Sequence, residues 1–379
     1  MKKLVVVLLT LLVLSGVTGC GPAESDKGKE SDGSDTIKLG TFGPYEGEVS
    51  VYGIAVRNGI NLAIEDYNAN SDVLGKKVEL VSYDTKADAI EAVNAYNKLV
   101  EQDKVTAIIG GVTSGESMAA AEASLEFNTP ILSPSATGLE FVGIGPNIFR
   151  ACYTDPIQAN ALADFTFNNL KIDEVAILYN SGLDYSTGLT DVYKERFTSL
   201  GGTIIAQEAY ADGDTDFNAQ LTSIASSKPK VVFVPDYYQV ATLIMKQAKA
   251  LGLDTIFLGA DGWDGILSIN ESDSSFLEGA IFSNHYSPEE PTIKDWETRY
   301  IDTYDMVPNA FAFLAYDSTT LMLDAINKAG SEDSQAIIDA LYTTNYNGIL
   351  GNLVFDSNGD PKKDVAYITI KDGEYTTFK

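Results

Sequence analysis

Apolar runs of strand length alternate with amphipathic segments of helix length along this chain, and the alternation occurs twice. Runs at 37–42, 78–83, 105–109 and 131–132 are separated by helical patterns at 51–68, 87–101 and 114–126. After Asp155-Pro156 the pattern restarts with a helix to about 170 and strands at 175–179, 203–207, 231–234 and 255–258. Helical patterns at 187–200, 217–226 and 239–251 lie between them. Such alternation calls for parallel strands joined by crossover helices that cover both sheet faces, so the fold class is α/β with two doubly wound, Rossmann-like lobes. The rule breaks after an apolar strand at 280–283, where helical patterns at 296–304 and 310–329 follow with no strand between them. The tail reads as a strand at 352–355, a turn at Asp356-Ser357-Asn358-Gly359, and a hairpin turning at Asp372-Gly373. Helices that follow the second lobe could pack back on the first, making the chain cross between lobes more than once.

The N-terminus bears on compartment. Lys2 and Lys3 precede an apolar run at 4–14 and small residues ending at Cys20. That run is shorter than the ~20 residues a membrane-spanning helix needs and has the form of a secretory signal. Val17-Thr18-Gly19-Cys20 resembles a bacterial lipobox, which makes 1–19 a signal peptide and Cys20 the site of lipidation. The alternative is an ordinary signal with an incidental cysteine. Residues 21–36 carry no aliphatic side chain larger than Ala and no aromatic, so 20–36 is expected to be a lipidated Cys and flexible tether. Only Cys152 remains besides Cys20, which leaves no intramolecular disulfide framework and no cysteine metal cluster. The formal charge of −28 argues against nucleic acid as a partner, because phosphate binding needs clustered Lys and Arg. The expected location is extracytoplasmic, lipid-anchored at the cell membrane, on a cell surface or in a periplasm.

In open α/β sheets ligands bind beyond the carboxyl ends of the strands. The loops there hold Gly43-Pro44 leading to Tyr52-Gly53, Gly110-Gly111-Val112-Thr113-Ser114, and Ser133-Pro134-Ser135-Ala136-Thr137. In the second lobe they hold Asp184-Tyr185, Asp236-Tyr237-Tyr238 and Gly259-Ala260-Asp261-Gly262-Trp263. Ser114 opens a predicted helix, where its hydroxyl and the first-turn amides suit an anion such as a carboxylate. Ser114 or Thr113 also fits a plain N-cap, with Glu116 or Ser117 completing the turn. Thr137 offers a second hydroxyl, in a stretch that equally suits an ordinary loop. Asp261 suits an ammonium group or a purely structural turn. Tyr52, Tyr185 and Tyr237 offer flat amphipathic surfaces for an aliphatic side chain. Glu46 and Glu116 are expected to face solvent, and His285, the one histidine, to lie in a hinge region or at the surface. A single histidine, with no Gly-x-Ser-x-Gly elbow, no metal-ligand spacing and no phosphate loop, leaves catalysis without its usual parts.

From residue 37 to the end the chain resembles the type I periplasmic-binding-protein family, within it the branched-chain amino-acid-binding group of ABC importers. The likeness rests on five motifs in order: Gly43-Pro44 with Tyr52-Gly53, Ile109-Gly110 with Ser114, Ser133-Pro134-Ser135-Ala136-Thr137, Tyr185-Ser186-Thr187-Gly188, and Gly259-Ala260-Asp261-Gly262-Trp263. The resemblance implies a ligand cleft between lobes joined by three crossovers, one lobe of 37–154 plus 286–357 and another of 155–285 plus 358–379. It implies that Ser114 and Thr137 hold the ligand carboxylate, that Asp261 with Ser135 and Thr137 holds the ammonium, and that Tyr52, Tyr185 and Tyr237 shape the side-chain pocket. It further implies a monomer that binds a free amino acid, branched-chain or similar, delivers it to ABC permease subunits, and needs no cofactor and no metal. The membrane would be reached through the lipid on Cys20. A surface sensor for an amino acid, amide or other small organic solute is the alternative function.

Overall fold

A computed structural model describes residues 36–70 and 72–378. The signal, Cys20 and the tether up to residue 35 lie outside the described residues.

The first sheet forms from β1 (Thr36–Gly43), β2 (Lys77–Asp84), β3 (Ala107–Ile109), β4 (Ile131–Ser133) and β5 (Ile148–Arg150). All pair in parallel, in the order β2-β1-β3-β4-β5. Between them run α1 (Ser50–Asn70), α2 (Ala89–Asn97) and α3 (Ser114–Ser124). Strands such as Ala107-Ile108-Ile109 are buried on both faces, as a parallel sheet covered by helices requires. One face packs Tyr96, Leu99, Ile131 and Phe141 under α2 and α3. The strand order reverses between β1 and β3, so the loops after these two strands diverge and leave a crevice there.

The chain then enters α4 (Asp155–Asp164), β6 (Glu174–Asn180), α5 (Asp184–Ser199), β7 (Thr203–Tyr210), α6 (Asn218–Ser227), β8 (Val231–Phe233), α7 (Tyr238–Ala250), β9 (Ile256–Gly259) and β10 (Ile281–Asn284). Three helices follow: α8 (Lys294–Tyr304), α9 (Ala310–Ala329) and α10 (Ser334–Tyr342). α9 packs along α1, on the first lobe, so these late helices do return to it. Gly59 makes the contact close, since a Cβ there would stand 2.2 Å from the Ala312 carbonyl oxygen. A small antiparallel pair, β11 (Asn345–Gly348) and β12 (Gly351–Val354), precedes β13 (Ala366–Lys371) and β14 (Glu374–Thr377). The hairpin adds antiparallel to β10, completing a second sheet in the order β14-β13-β10-β9-β8-β6-β7. Its reversal point lies between β6 and β8, which directs the Tyr185, Tyr237 and Asp261 loops to one end of the sheet.

Four elements differ from the sequence expectation, among them α10, a helix with no counterpart there. β5 carries Arg150 in a three-residue strand, too short and too charged to register as an apolar run. The expected helix at 87–101 ends as α-helix at Asn97 and continues as a wider turn, Lys98–Asp103. β11 reads Asn-Tyr-Asn-Gly, a turn composition held extended by pairing with β12. No helix among the described residues is long and apolar enough to cross a membrane.

Candidate ligand-binding site

Loops from both sheets converge on a cleft of about 250 Å³, measured to its open mouth. Its first-sheet wall contains Tyr52, Ser114, Ser135 and Thr137, and its second-sheet wall Tyr185, Tyr237 and Asp261. All seven residues singled out from the sequence therefore face one cavity. Phe311, the second residue of α9, also lines it and packs edge-on to Tyr52 at 4.5 Å.

The anion-binding side is built from the start of α3. Thr113 is the N-cap and Ser114 the first helical residue. Glu116 accepts from the N–H groups of Val112 and Thr113, both at 3.0 Å, and from the Thr85 hydroxyl. This capping box occupies Thr113 and Glu116 and leaves the first-turn N–H groups of Ser114 and Gly115 for an acceptor outside the helix. The Ser114 hydroxyl accepts from Gly138 N–H at 3.2 Å, and its own proton remains to be donated. Glu116 is thus buried, not solvent-facing as expected, because it closes the cap, and burial pushes its carboxyl up. Glu46 is exposed.

The loop carrying Ser135 and Thr137 is pinned from within. Ser133 Oγ donates to Gly111 O and accepts from Ala136 N–H, and Ser135 Oγ donates to Val112 O. Below it, the fully buried Arg150 donates to the carbonyls of Ala136 (2.8 Å), Gly138 (2.7 Å) and Leu139 (3.2 Å). Thr137 O accepts from the Asp155 N–H at 2.9 Å.

Across the cleft, Asp261 is 2% exposed and carries the only formal charge on the cavity lining. Its Oδ1 accepts from Tyr185 Oη at 2.7 Å and Gln158 Nε2 at 3.0 Å, and its Oδ2 lies 3.0 Å from His285 Nε2. Gln158 also donates to Asp155 Oδ1, so one amide bridges two buried carboxyl groups. Burial, then the Asp261 charge, push Asp155 up to about 7. Tyr185 stacks on Tyr237 at 4.9 Å, and both pack beside Gly262, where a Cβ would stand 2.9 Å from Tyr185 Oη. Tyr52 Oη donates to the Gly262 carbonyl, and Tyr238 Oη donates to Glu48 O, two hydrogen bonds that join the walls. Burial holds the Tyr52, Tyr185 and Tyr237 phenols far above their ordinary range, so all three stay neutral donors. His285 does lie where the chain leaves β10, but its side chain is buried against Asp261, not at the surface.

A model of the periplasmic binding proteins matches residues 36–374. The chain belongs to that family. Among members of the family, it is 30% identical over 331 residues to the leucine-, isoleucine-, valine-, threonine- and alanine-binding protein of Pseudomonas aeruginosa, covering 87% of this chain and 88% of that one. The leucine-binding protein LivK of Thermotoga maritima superposes with a TM-score of 0.85 at 34% identity, over 90% of this chain and 98% of that one. LivJ of Streptococcus pneumoniae, solved with isoleucine, gives 0.85 at 29% identity over 91% and 99%. These likenesses identify the two-lobed fold as that of a type I periplasmic binding protein.

Asp155, Gln158, Arg150 and Phe311 were not singled out from the sequence as site residues, and His285 was expected in a hinge region or at the surface. His285 was visible as the chain's one histidine directly after a strand, and Arg150 as a lone cation in an apolar stretch. Asp155, Gln158 and Phe311 gave no signal, since helix starts carry such residues everywhere.

Asp155, Asp236 and Asp264 are all buried, with carboxyls raised to about 7, about 6 and about 6, chiefly by burial. A carboxyl whose folded value is raised gives stability that is complete below its unfolded value and lost as pH rises through the folded one. The unliganded protein is therefore expected to melt at least ~2 °C higher at pH 5 than at pH 8. Asp155→Asn should flatten that slope, as scanning calorimetry at the two pH values would show.

Proposed function

We propose that this protein is the extracytoplasmic solute-binding component of an ABC importer, taking a free amino acid with a branched-chain or similar aliphatic side chain and handing it to permease subunits. The observation that carries this is the polarity of the cleft: helix-start amides with Ser114 and Thr137 on one side, and Asp261 on the other. A zwitterion matches that arrangement, its carboxylate on the α3 terminus and its ammonium on Asp261, the Ser135 carbonyl and Thr137. Tyr52, Tyr185, Tyr237 and Phe311 then enclose the apolar side chain. Hinge motion brings the lobe of 155–285 plus 358–379 onto that of 37–154 plus 286–357. Cys20 carries the lipid that holds the monomer at the membrane. The protein catalyses nothing in this scheme.

A thermal-shift panel of amino acids, amides and small carboxylates against the soluble chain starting after Cys20 tests the reading. An amino acid at about 1,000 times its dissociation constant stabilises by about 4 kcal/mol. Shifts confined to aliphatic amino acids are expected, and silence from every amino acid with a folded protein would overturn the proposal.

A further inference from the structure

Two of the three side chains that hold Asp261 come from places where the chain passes between the sheets. Gln158 sits on α4, just after the first crossing, and His285 follows β10 at the start of the second. The imidazole is enclosed, its side chain 2% exposed and stacked on Tyr153 with ring centroids 3.9 Å apart. Because Asp261 Oδ2 can only accept while ionised, Nε2 must carry the proton. Nδ1 has no hydrogen-bond partner among the described residues. The ring thus has a single polar engagement, and that engagement is with the carboxylate assigned to the ligand ammonium.

We propose that His285 is a positioning residue for ammonium recognition, its Nε2–H fixing the aim of Asp261 Oδ2. The inference rests on the amino-acid reading above. Tyr185 and Gln158 both bind Oδ1, so Oδ2 has His285 as its one side-chain donor among the described residues. Two further carboxyl groups crowd it: Asp155 faces it from α4 and Asp264 follows in the same loop, both raised in part by its charge. Without the imidazole donor, Asp261 can rotate about its bond to Cβ, and an ammonium must reorder it on binding.

Packing and hydrogen bonding make opposite predictions for two substitutions. His285→Phe keeps a ring on Tyr153 and removes the donor, whereas His285→Gln gives up the ring and places an amide N–H near the Nε2 position. Calorimetric titration with L-leucine is expected to show His285→Phe about tenfold or more weaker than the parent and His285→Gln within about threefold of it, as loss of one hydrogen bond to a charged group implies. Parental affinity in His285→Phe, or equal loss in a folded His285→Gln, would overturn the inference. Should His285→Phe fail to fold, His285→Asn replaces it: its amide is too short to reach Oδ2, so it should bind about tenfold more weakly than His285→Gln, and equal affinities would again overturn the claim. Absence of leucine binding by the parent protein is a different result, overturning the branched-chain reading itself.

Discussion

Asp261→Asn is expected to weaken L-leucine binding by about two to four orders of magnitude while leaving the protein folded. Removing one partner of a buried ion pair costs ~3–5 kcal/mol, because the remaining charge stays desolvated and unpaired. Here that charge is the ligand's ammonium. The substitution is nearly isosteric, and its effect on the unliganded protein runs the other way. Asp261 is the principal charge that, after burial, raises the Asp155 carboxyl, so neutralising it relieves a like-charge contact. The new amide must set its NH2 against groups that now donate, Tyr185 Oη and Gln158 Nε2 on one side and His285 Nε2 on the other. An imidazole can move its proton to Nδ1 and accept at Nε2, which gives the amide an arrangement without conflict. Melting of the free variant within a few degrees of the parent, with loss of affinity in calorimetric titration, is the expected pair of results. Unchanged affinity would remove Asp261 from the site.

The residues that were legible in the sequence share a topological reason. Tyr52, Ser114, Ser135, Thr137, Tyr185, Tyr237 and Asp261 lie in loops or first helical turns that follow strands, and doubly wound sheets send those loops to one edge. Strand-helix alternation located the edge before any contact was known. The partners that hold these residues were not legible, because they arrive from distant parts of the chain. Gln158 is 103 residues from Asp261, and Phe311 reaches the cleft only because α9 returns to pack on α1. Glu116 shows the limit of composition: one carboxylate among many, it is held in the interior by two amides of the turn before it and by the hydroxyl of Thr85, 31 residues away in sequence. Likewise β11 has no strand pattern of its own and exists through its partner.

Arg150→Met tests the other large dependence, that of the Ser135–Thr137 loop on a buried cation. The methionine replaces most of the apolar stem but removes every donor. The carbonyls of Ala136, Gly138 and Leu139 lose their guanidinium hydrogen bonds, and Asp360, 2.6 Å from Arg150 Nε, loses its counter-ion. The Asp360 side chain is 24% exposed, so water can recover part of its charge, and the cost falls at the lower end of the range for broken buried pairs, about 3 kcal/mol. Urea denaturation should register this as a lower midpoint with an unchanged slope. Arg150→Lys should lie between the two proteins, since an ammonium is a single centre and cannot reproduce a planar fork that engages three carbonyls and a carboxylate at once. The loss should also reach the ligand. Arg150 joins the loop that presents Thr137 to the segment after β12, where Gly359 O accepts from Arg150 N–H, so a variant that still folds presents Thr137 from a looser support. Weaker L-leucine binding is therefore expected together with the lower midpoint, and a variant with parental stability would show that the three carbonyls find water as good a partner as the guanidinium.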